Sequence, residues 1–231
     1  MQQDSDSDLI NIAIDGPAGA GKSTVARKVA EQLGYVYIDT GAMYRAATLS
    51  ARRASIQPDA DEELAAHART LNIELQPGER GQIVYLNGED VTDLIRSREV
   101  TLMVSLIAAN ETVREVLGTT QRQLAKRKGV VMDGRDIGSH VLPNAELKIF
   151  LTASVQERAL RRYKETSDTQ TVTLEQLAQE IAERDRLDEQ RELSPLVCAK
   201  DAIVLDSTSM SIDEVVTTIV KLSRTKLAEA K

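Results

Sequence analysis

Cysteine is almost absent from this chain: Cys198 is the single one in 231 residues. An internal disulfide framework is therefore excluded, and a reducing compartment, the cytoplasm, is expected. Tryptophan is missing, and aromatic residues make up only 3%, too few for the stacking platforms that bind single-stranded nucleic acid. A positive balance of charge is missing as well. Lys and Arg number 29 against 36 Asp and Glu, a formal net charge of −7, which argues against general binding to nucleic acid or to an anionic membrane. Any polyanion site must then be a local cluster of arginines on an acidic protein. No apolar run approaches the ~20 residues that span a bilayer. Residues 1–8 are acidic and polar, the reverse of a signal peptide, and are expected to form a disordered tail. The two histidines and the lone cysteine show no metal-ligand spacing. His67 falls on a polar helix, and Cys198 reads as a small apolar filler. His140 either approaches a site near Asp133–Gly138 or is a surface loop residue.

What the chain does contain is organised around Gly16-Pro17-Ala18-Gly19-Ala20-Gly21-Lys22-Ser23, which has the G-x-x-x-x-G-K-[ST] pattern of a phosphate-binding loop. An apolar run, Leu9–Ile14, precedes it as a buried strand, and Val25, Val29, Ala30 and Leu33 follow at helical spacing. Glycines let the backbone wrap a phosphate with its N–H groups turned inward, and the N-terminus of the next helix faces the same anion. Lys22 adds a mobile cation for the β- and γ-phosphates, Ser23 is placed to ligate Mg²⁺, and Thr24 continues the motif. The pattern predicts a site for a nucleoside triphosphate.

Downstream, Val36–Asp39 reads as a second strand and Ala42–Arg53 as a helix whose apolar members are Tyr44, Ala47 and Leu49. A further helix opens at Pro58-Asp59. Asn72–Gln76 and Gln82–Leu86, joined through Pro77-Gly78 and followed by Asn87-Gly88, predict a small antiparallel β insertion. Helical periodicity runs over 100–126 with a break near Asn110. Gly129–Asp133, Leu147–Leu151 and Ala202–Asp206 read as three more core strands. Helices are expected over 155–164, over 174–192 after a polar Thr/Ser/Asp segment, and over 212–227. Core strands separated by helices predict an α/β fold with a parallel five-stranded sheet covered on both faces.

Ligands of such sheets bind beyond the carboxyl ends of the strands. Candidates there, besides the loop, are Asp39-Thr40-Gly41 with Tyr44 and Arg45, and Asp133-Gly134-Arg135-Asp136, of which Asp133 could join Ser23 at a metal. In the charged run 183–191, Arg184, Asp188 and Arg191 fall within roughly 60° on one helical face. Such a run is either a solvated face laced with ion pairs or a set of groups around a transferring phosphoryl. The same two readings hold for Arg158, Arg161 and Arg162.

Taken together, DGPAGAGKST, IDTGAMYR, VVMDGRDIG, LKIFLTAS with RALRR, ERDRLDEQR and AIVLDST resemble the bacterial cytidylate (CMP/dCMP) kinases, P-loop nucleoside monophosphate kinases. The likeness runs from Ile10 to about Leu227 with the motifs in family order. It implies a kinase domain over 9–231. A nucleoside monophosphate-binding part would cover about 40–115, with its β insertion at about 70–95, and a short helical lid about 166–194. By the resemblance, Arg45, Arg135 and Arg191 would grip the CMP phosphate. Ser105, Arg114 and Asp136 would read cytosine, Arg184 and Asp188 would hold the sugar hydroxyls, and Arg162 would reach the phosphates in transfer. Thr40 and Ser23 stand where other members carry Ser and other small residues, which leaves the likeness intact. The implied reaction takes ATP and CMP or dCMP to ADP and CDP or dCDP in pyrimidine metabolism, in a cytoplasmic monomer with Mg²⁺.

Residue chemistry independently supports an acceptor that is already anionic, since arginines outnumber any plausible general base. An adenylate or shikimate kinase fits the Asp39–Arg45 stretch and the β insertion less well. A nucleotide-hydrolysing switch would need a guanine-reading N-K-x-D motif, which the sequence lacks.

Overall fold

The computed structural model describes residues 9–78, 81–166 and 172–229. The acidic tail, and part of the polar segment within the expected lid, lie outside them.

Strand β1 (Asn11–Asp15) is buried at every residue, because it has a strand on either side and cover above and below. It pairs in parallel with β6 (Val130–Gly134), also buried throughout, and with β7 (Leu147–Thr152). The full order is β2–β6–β1–β7–β8, with β2 at Val36–Asp39 and β8 at Ile203–Asp206. Side chains alternate across a strand, so Ile12 and Ile14 share one core with Val25, Ala26, Val29 and Ala30 of α1 (Lys22–Leu33) and with Val215, Val216 and Ile219 of α8 (Ile212–Glu229). Asn11, Ala13 and Asp15 project to the opposite face. There Asn11 donates to the Ala125 carbonyl at 3.0 Å, and Asp15 accepts from backbone N–H groups discussed below. The expected five-stranded sheet is therefore present, and β1 places the phosphate loop at its centre.

One expectation for the sheet needs correction. The last strand is not a core strand: Val204 is 59% exposed and Ile203 is exposed too. Among the described residues β8 pairs with β7 alone, so it ends the strand order, and of its apolar side chains Leu205 packs against the core.

Beyond β7, α6 (Val155–Thr166) and α7 (Leu174–Glu189) bury Ala159 against Leu177 and Ile181. Thr173 opens α7 with a reciprocal cap, its hydroxyl accepting from Gln176 N–H while the Gln176 side chain accepts from Thr173 N–H.

The chain divides into two units: one runs to Tyr37 and resumes at Ala125, the other spans Ile38–Leu124. The second is built around α2 (Thr40–Arg53), which Asp39 caps by accepting from Ala42 N–H at 2.8 Å. Met43, Ala47 and Ala51 pack on α3 (Asp61–Ala68), on Ile107 of α4 (Arg98–Ile107) and on Val113 and Leu117 of α5 (Glu111–Leu124). Ala42 and Ala46 pack the other way, on Val84 and Leu86. Small residues at the centre of α2 thus let it be buried on two sides, which the periodicity of Tyr44, Ala47 and Leu49 did not convey. The β insertion has three strands, β3 (Ile73–Gly78), β4 (Gly81–Leu86) and a two-residue β5 (Glu89–Asp90), all antiparallel.

The turn out of β1 depends on Gly16. Its φ is +147°, and a Cβ there would lie 2.0 Å from the Leu151 carbonyl oxygen of β7. Backbone cannot yield as a flexible side chain would. Gly16→Ala should lower stability by about 3 kcal/mol from strain and overpacking together. Thermal melting checks this, and a melting temperature within about 2 °C of wild type contradicts it.

Candidate active site

After Gly16 the loop reaches Gly21, whose left-handed φ of +83° lets it serve as the N-cap of α1. No side chain caps this end and no acid sits in its first turn. The first N–H groups of α1, from Lys22, Ser23 and Thr24, are thus the ordinary anion-binding groups of a helix start. Lys22 is buried and its ammonium donates to the Pro17 carbonyl at 2.7 Å. Burial pushes its pKa well below the usual lysine range, and the positive charge of Arg135 adds to that push; Asp133 pulls the other way. A desolvated cation beside further cations is a site that a polyanion would stabilise.

The carboxyl ends of the other strands supply the acids. Asp133, the last side chain of β6, accepts from the Ser23 hydroxyl at 2.8 Å and from the Tyr37 hydroxyl at 3.0 Å. A hydroxyl and a carboxylate side by side are the hard oxygen donors that Mg²⁺ takes, so the residues fit that ion. One residue past β6, Arg135 donates through Nε to Asp188 at 2.8 Å, and Arg191 lies 3.8 Å from the same carboxylate. Burial pushes the Asp188 carboxyl up, but Arg135, Arg184 and Arg191 outweigh it and hold its pKa below the usual range. Asp136 is buried, and its carbonyl accepts from the N–H groups of His140 and Val141 in a wide helical turn, Ile137–Val141. Arg162 on α6 and Arg184 on α7 are half-buried.

Arg191 does not share a helix with Arg184 and Asp188 as the spacing predicts. α7 ends at Glu189, and the Asp188 carbonyl accepts from Leu196 N–H at 2.8 Å as the chain turns back. Arg191 is brought to Asp188 by that turn, with Nη2 donating to the Ser194 carbonyl at 2.8 Å. The charged run divides between its two readings. Glu183 and Arg186 form an exposed pair at 2.6 Å, while Asp185 and Asp188 are buried. The basic cluster on α6 divides too. Arg158 is buried against Asp185, whereas Arg161 is bound to Glu157 and to Ser207.

In the second unit the structure joins Tyr44 and Arg114, the guanidinium lying 5.4 Å from the ring centroid, and Arg114 donates to the Ala108 carbonyl at 3.2 Å. Arg45 donates to the Thr101 hydroxyl at 2.7 Å and to the Ile95 carbonyl at 3.2 Å. Thr40 at the start of α2 and Ser105 on α4 are buried. His67 accepts or donates a 2.8 Å bond with Ser50, and His140 is exposed. Cys198 is exposed and not an apolar filler, lying in the extended chain before β8.

Sequence reasoning passed over Asp15 and Asp185. Asp185 continues the buried stripe Leu177, Ile181 at the next i+4 position and precedes Asp188 by three, a pattern readable as one helix face that changes from apolar to acidic. Asp15 ends a buried strand directly before the loop. Its carboxylate accepts from Ile137 N–H at 2.8 Å and Gly138 N–H at 2.7 Å, so it orients the turn that carries Asp136.

A phosphate loop at the centre of a parallel sheet, with a desolvated lysine and arginines on the neighbouring elements, defines a P-loop phosphotransferase. Comparison with known proteins narrows the class. The cytidylate kinase family matches residues 12–225. The cytidylate kinase of Bacillus cereus is 55% identical over 214 residues, covering 92% of this chain and 95% of that protein. The cytidylate kinase of Geobacillus kaustophilus is 55% identical over 219 residues, covering 92% and 96%. The chain belongs to the cytidylate kinase family, and is an ATP-dependent nucleoside monophosphate kinase. Among solved structures, an uncharacterized protein from Eubacterium ventriosum shares the fold, with a TM-score of 0.51, 13% identity, and coverage of 94% of this chain and 99% of that one.

Asp15 gives the site a pH dependence. Burial raises its pKa from 3.8 to about 6, outweighing the two N–H bonds that lower it. The folded protein binds this proton more readily than the unfolded chain, so the ionised carboxylate costs stability at neutral pH and the cost is relieved as pH falls through about 6. Between pH 7 and pH 5, wild type should gain about 1 kcal/mol relative to Asp15→Asn, which does not titrate. Denaturant melts of both proteins across this window measure the difference. A flat difference, or one that moves against wild type on acidification, contradicts the assignment.

Proposed function

We propose that the chain transfers the γ-phosphoryl group of ATP to CMP or dCMP, with the residues described above in the roles that follow. The observation that carries this reading is the buried Lys22 in an uncapped loop, its pKa held down by burial and by the charges of Arg135 and Arg184, which Asp133 and Asp15 do not outweigh. ATP lies with its phosphates on Gly16–Thr24 and the Lys22 ammonium at the β- and γ-phosphates. Mg²⁺ is held by Ser23 and Asp133, and when bound it neutralises phosphate charge. Arg45, Arg135 and Arg191 hold the CMP phosphate. Thr40 and Tyr44 contribute to the same acceptor site, Arg184 and Asp188 hold the sugar hydroxyls, and Arg162 reaches the transferring group. The described part of the expected lid, 172–194, acts to exclude water. A monomer completes the reading, with a cytoplasmic location supported by the single cysteine and no nucleic-acid partner by the net charge of −7. No described helix is long and apolar enough to cross a membrane.

The nucleophile is a phosphate oxygen of CMP. As it bonds to the γ-phosphorus, the bond from that phosphorus to the β–γ bridging oxygen breaks and the electron pair leaves with ADP. The nucleophile is already anionic, so no base is needed, and positioning with charge stabilisation carries the rate. Lys22→Ala should therefore lose mainly kcat, by about 2–4 kcal/mol in the transition state. A folded variant with near-normal kcat contradicts the role given to Lys22.

Base choice is assigned to Asp136, with Ser105 and Arg114. Cytosine offers an amino donor where uracil offers a carbonyl. A carboxylate accepts from the first and opposes the second, and in a closed site such a mismatch can cost ~10⁴-fold. Asp136→Ala should reduce kcat/KM strongly with CMP and little with UMP, so that discrimination collapses. If both fall by the same factor, Asp136 only supports its neighbour Arg135.

A further inference from the structure

The tip of the phosphate loop is held from outside the β1–α1 unit. Asp185 of α7 accepts from Ala18 N–H at 3.0 Å through Oδ1, and its other oxygen takes Arg158 Nη1 at 2.6 Å. The same Arg158 nitrogen donates to the Ala18 carbonyl at 2.7 Å, and its Nε to the Ala153 carbonyl at 2.9 Å. Both polar groups of Ala18, which belong to two successive peptide planes, are thus captured by one buried ion pair. Lys22 takes the Pro17 carbonyl just before them. Packing reinforces the grip, since a Cβ on Gly19 would meet the Arg158 Cβ at 3.3 Å and Ile181 at 3.7 Å.

Burying an ion pair is expensive, and a well-packed apolar pair would join α6 to α7 as well or better. These two helices already have Ala159, Leu177 and Ile181 for that purpose. What an apolar pair could not do is bind the N–H and the carbonyl of Ala18. Those bonds set the planes of the loop's peptides, and so the direction in which neighbouring N–H groups point.

We infer that Asp185, together with Arg158, is a positioning pair for the phosphate loop, setting its affinity for the donor triphosphate. Asp188, one turn further along α7, binds Arg135, so a single helix reaches both the donor loop and an arginine assigned to the acceptor. The inference rests on the loop being the ATP site.

The test uses the full chain and the variants Asp185→Ala, Asp185→Asn and Arg158→Lys. Val216→Ala, a buried core substitution on α8 outside the loop, serves as the stability reference. Binding of ATP alone by titration calorimetry, KM for ATP and for CMP, kcat and melting temperature are measured for each. Loss of a charge-assisted hydrogen bond to the loop should weaken ATP binding about tenfold or more in Asp185→Ala. KM for CMP should change far less. Asp185→Asn, whose amide oxygen still accepts from Ala18 N–H, should recover part of the loss. Val216→Ala should melt earlier with ATP affinity unchanged. If Asp185→Ala lowers only the melting temperature and binds ATP within about twofold of wild type, the pair merely joins two helices and the inference fails. Should Asp185→Ala not fold, the other two variants decide: wild-type ATP affinity in both overturns the inference, and a clear loss in either upholds it. Wild type that binds ATP but does not phosphorylate CMP would defeat the proposed reaction, and leaves the ATP-binding comparison intact.

Discussion

Removing a lysine ammonium from water is the constraint around which the site is arranged. Lys22 is buried where its charge is least welcome, with arginine charge close enough to depress its pKa further. The fold tolerates this because carboxylates stand at measured places among the cations: Asp133 on Ser23, Asp188 on Arg135, Asp185 on Arg158. Each carboxylate satisfies a particular hydrogen bond and leaves the loop's own N–H groups at the start of α1 uncapped. An acidic protein thereby carries a local site for polyanions.

Backbone geometry makes the placement possible. Gly16 turns the chain out of β1 against the Leu151 carbonyl, closer than any side chain would allow. Asp15, one residue earlier, reaches across to the turn after β6 and takes two of its N–H groups. Because β1 lies between β6 and β7, with Ile14 paired to Asp133 and Asp15 to Gly134, the loop that leaves its end starts beside Asp133 and the Arg135–Asp136 stretch. The order of the strands thus does chemical work as well as structural work.

The second unit follows a different logic. Alanines on α2 admit close neighbours on two sides, so its polar residues are carried on a helix fixed by packing. Arg45 and Arg114 are each held through backbone carbonyls, and Arg114 also by the face of Tyr44. Arginines keep their positive charge in such bonds, as suits groups assigned to an anionic acceptor.

The phosphate loop, the helix after it, the alternation of strands and helices and the β insertion were all legible in the sequence. Each rests on local rules: glycine spacing, hydrophobic period and turn residues. α1 and β2 begin and end where the pattern places them. Residue types around the loop, with arginines prominent, also pointed to an anionic acceptor. The partners of those residues were not legible. That Arg191 meets Asp188 by a chain reversal, that β8 is a rim strand, and that Cys198 is exposed depend on which elements become neighbours. Asp185 and Arg158 show the difference most clearly. They are 27 residues apart on two helices, and each alone reads as one more charge in a charged run. Only the packing of α6 and α7 against the loop removes them from water and gives them Ala18 to bind. A periodicity records which face of a helix is buried, whereas the identity of what covers that face is a long-range contact that no local pattern encodes.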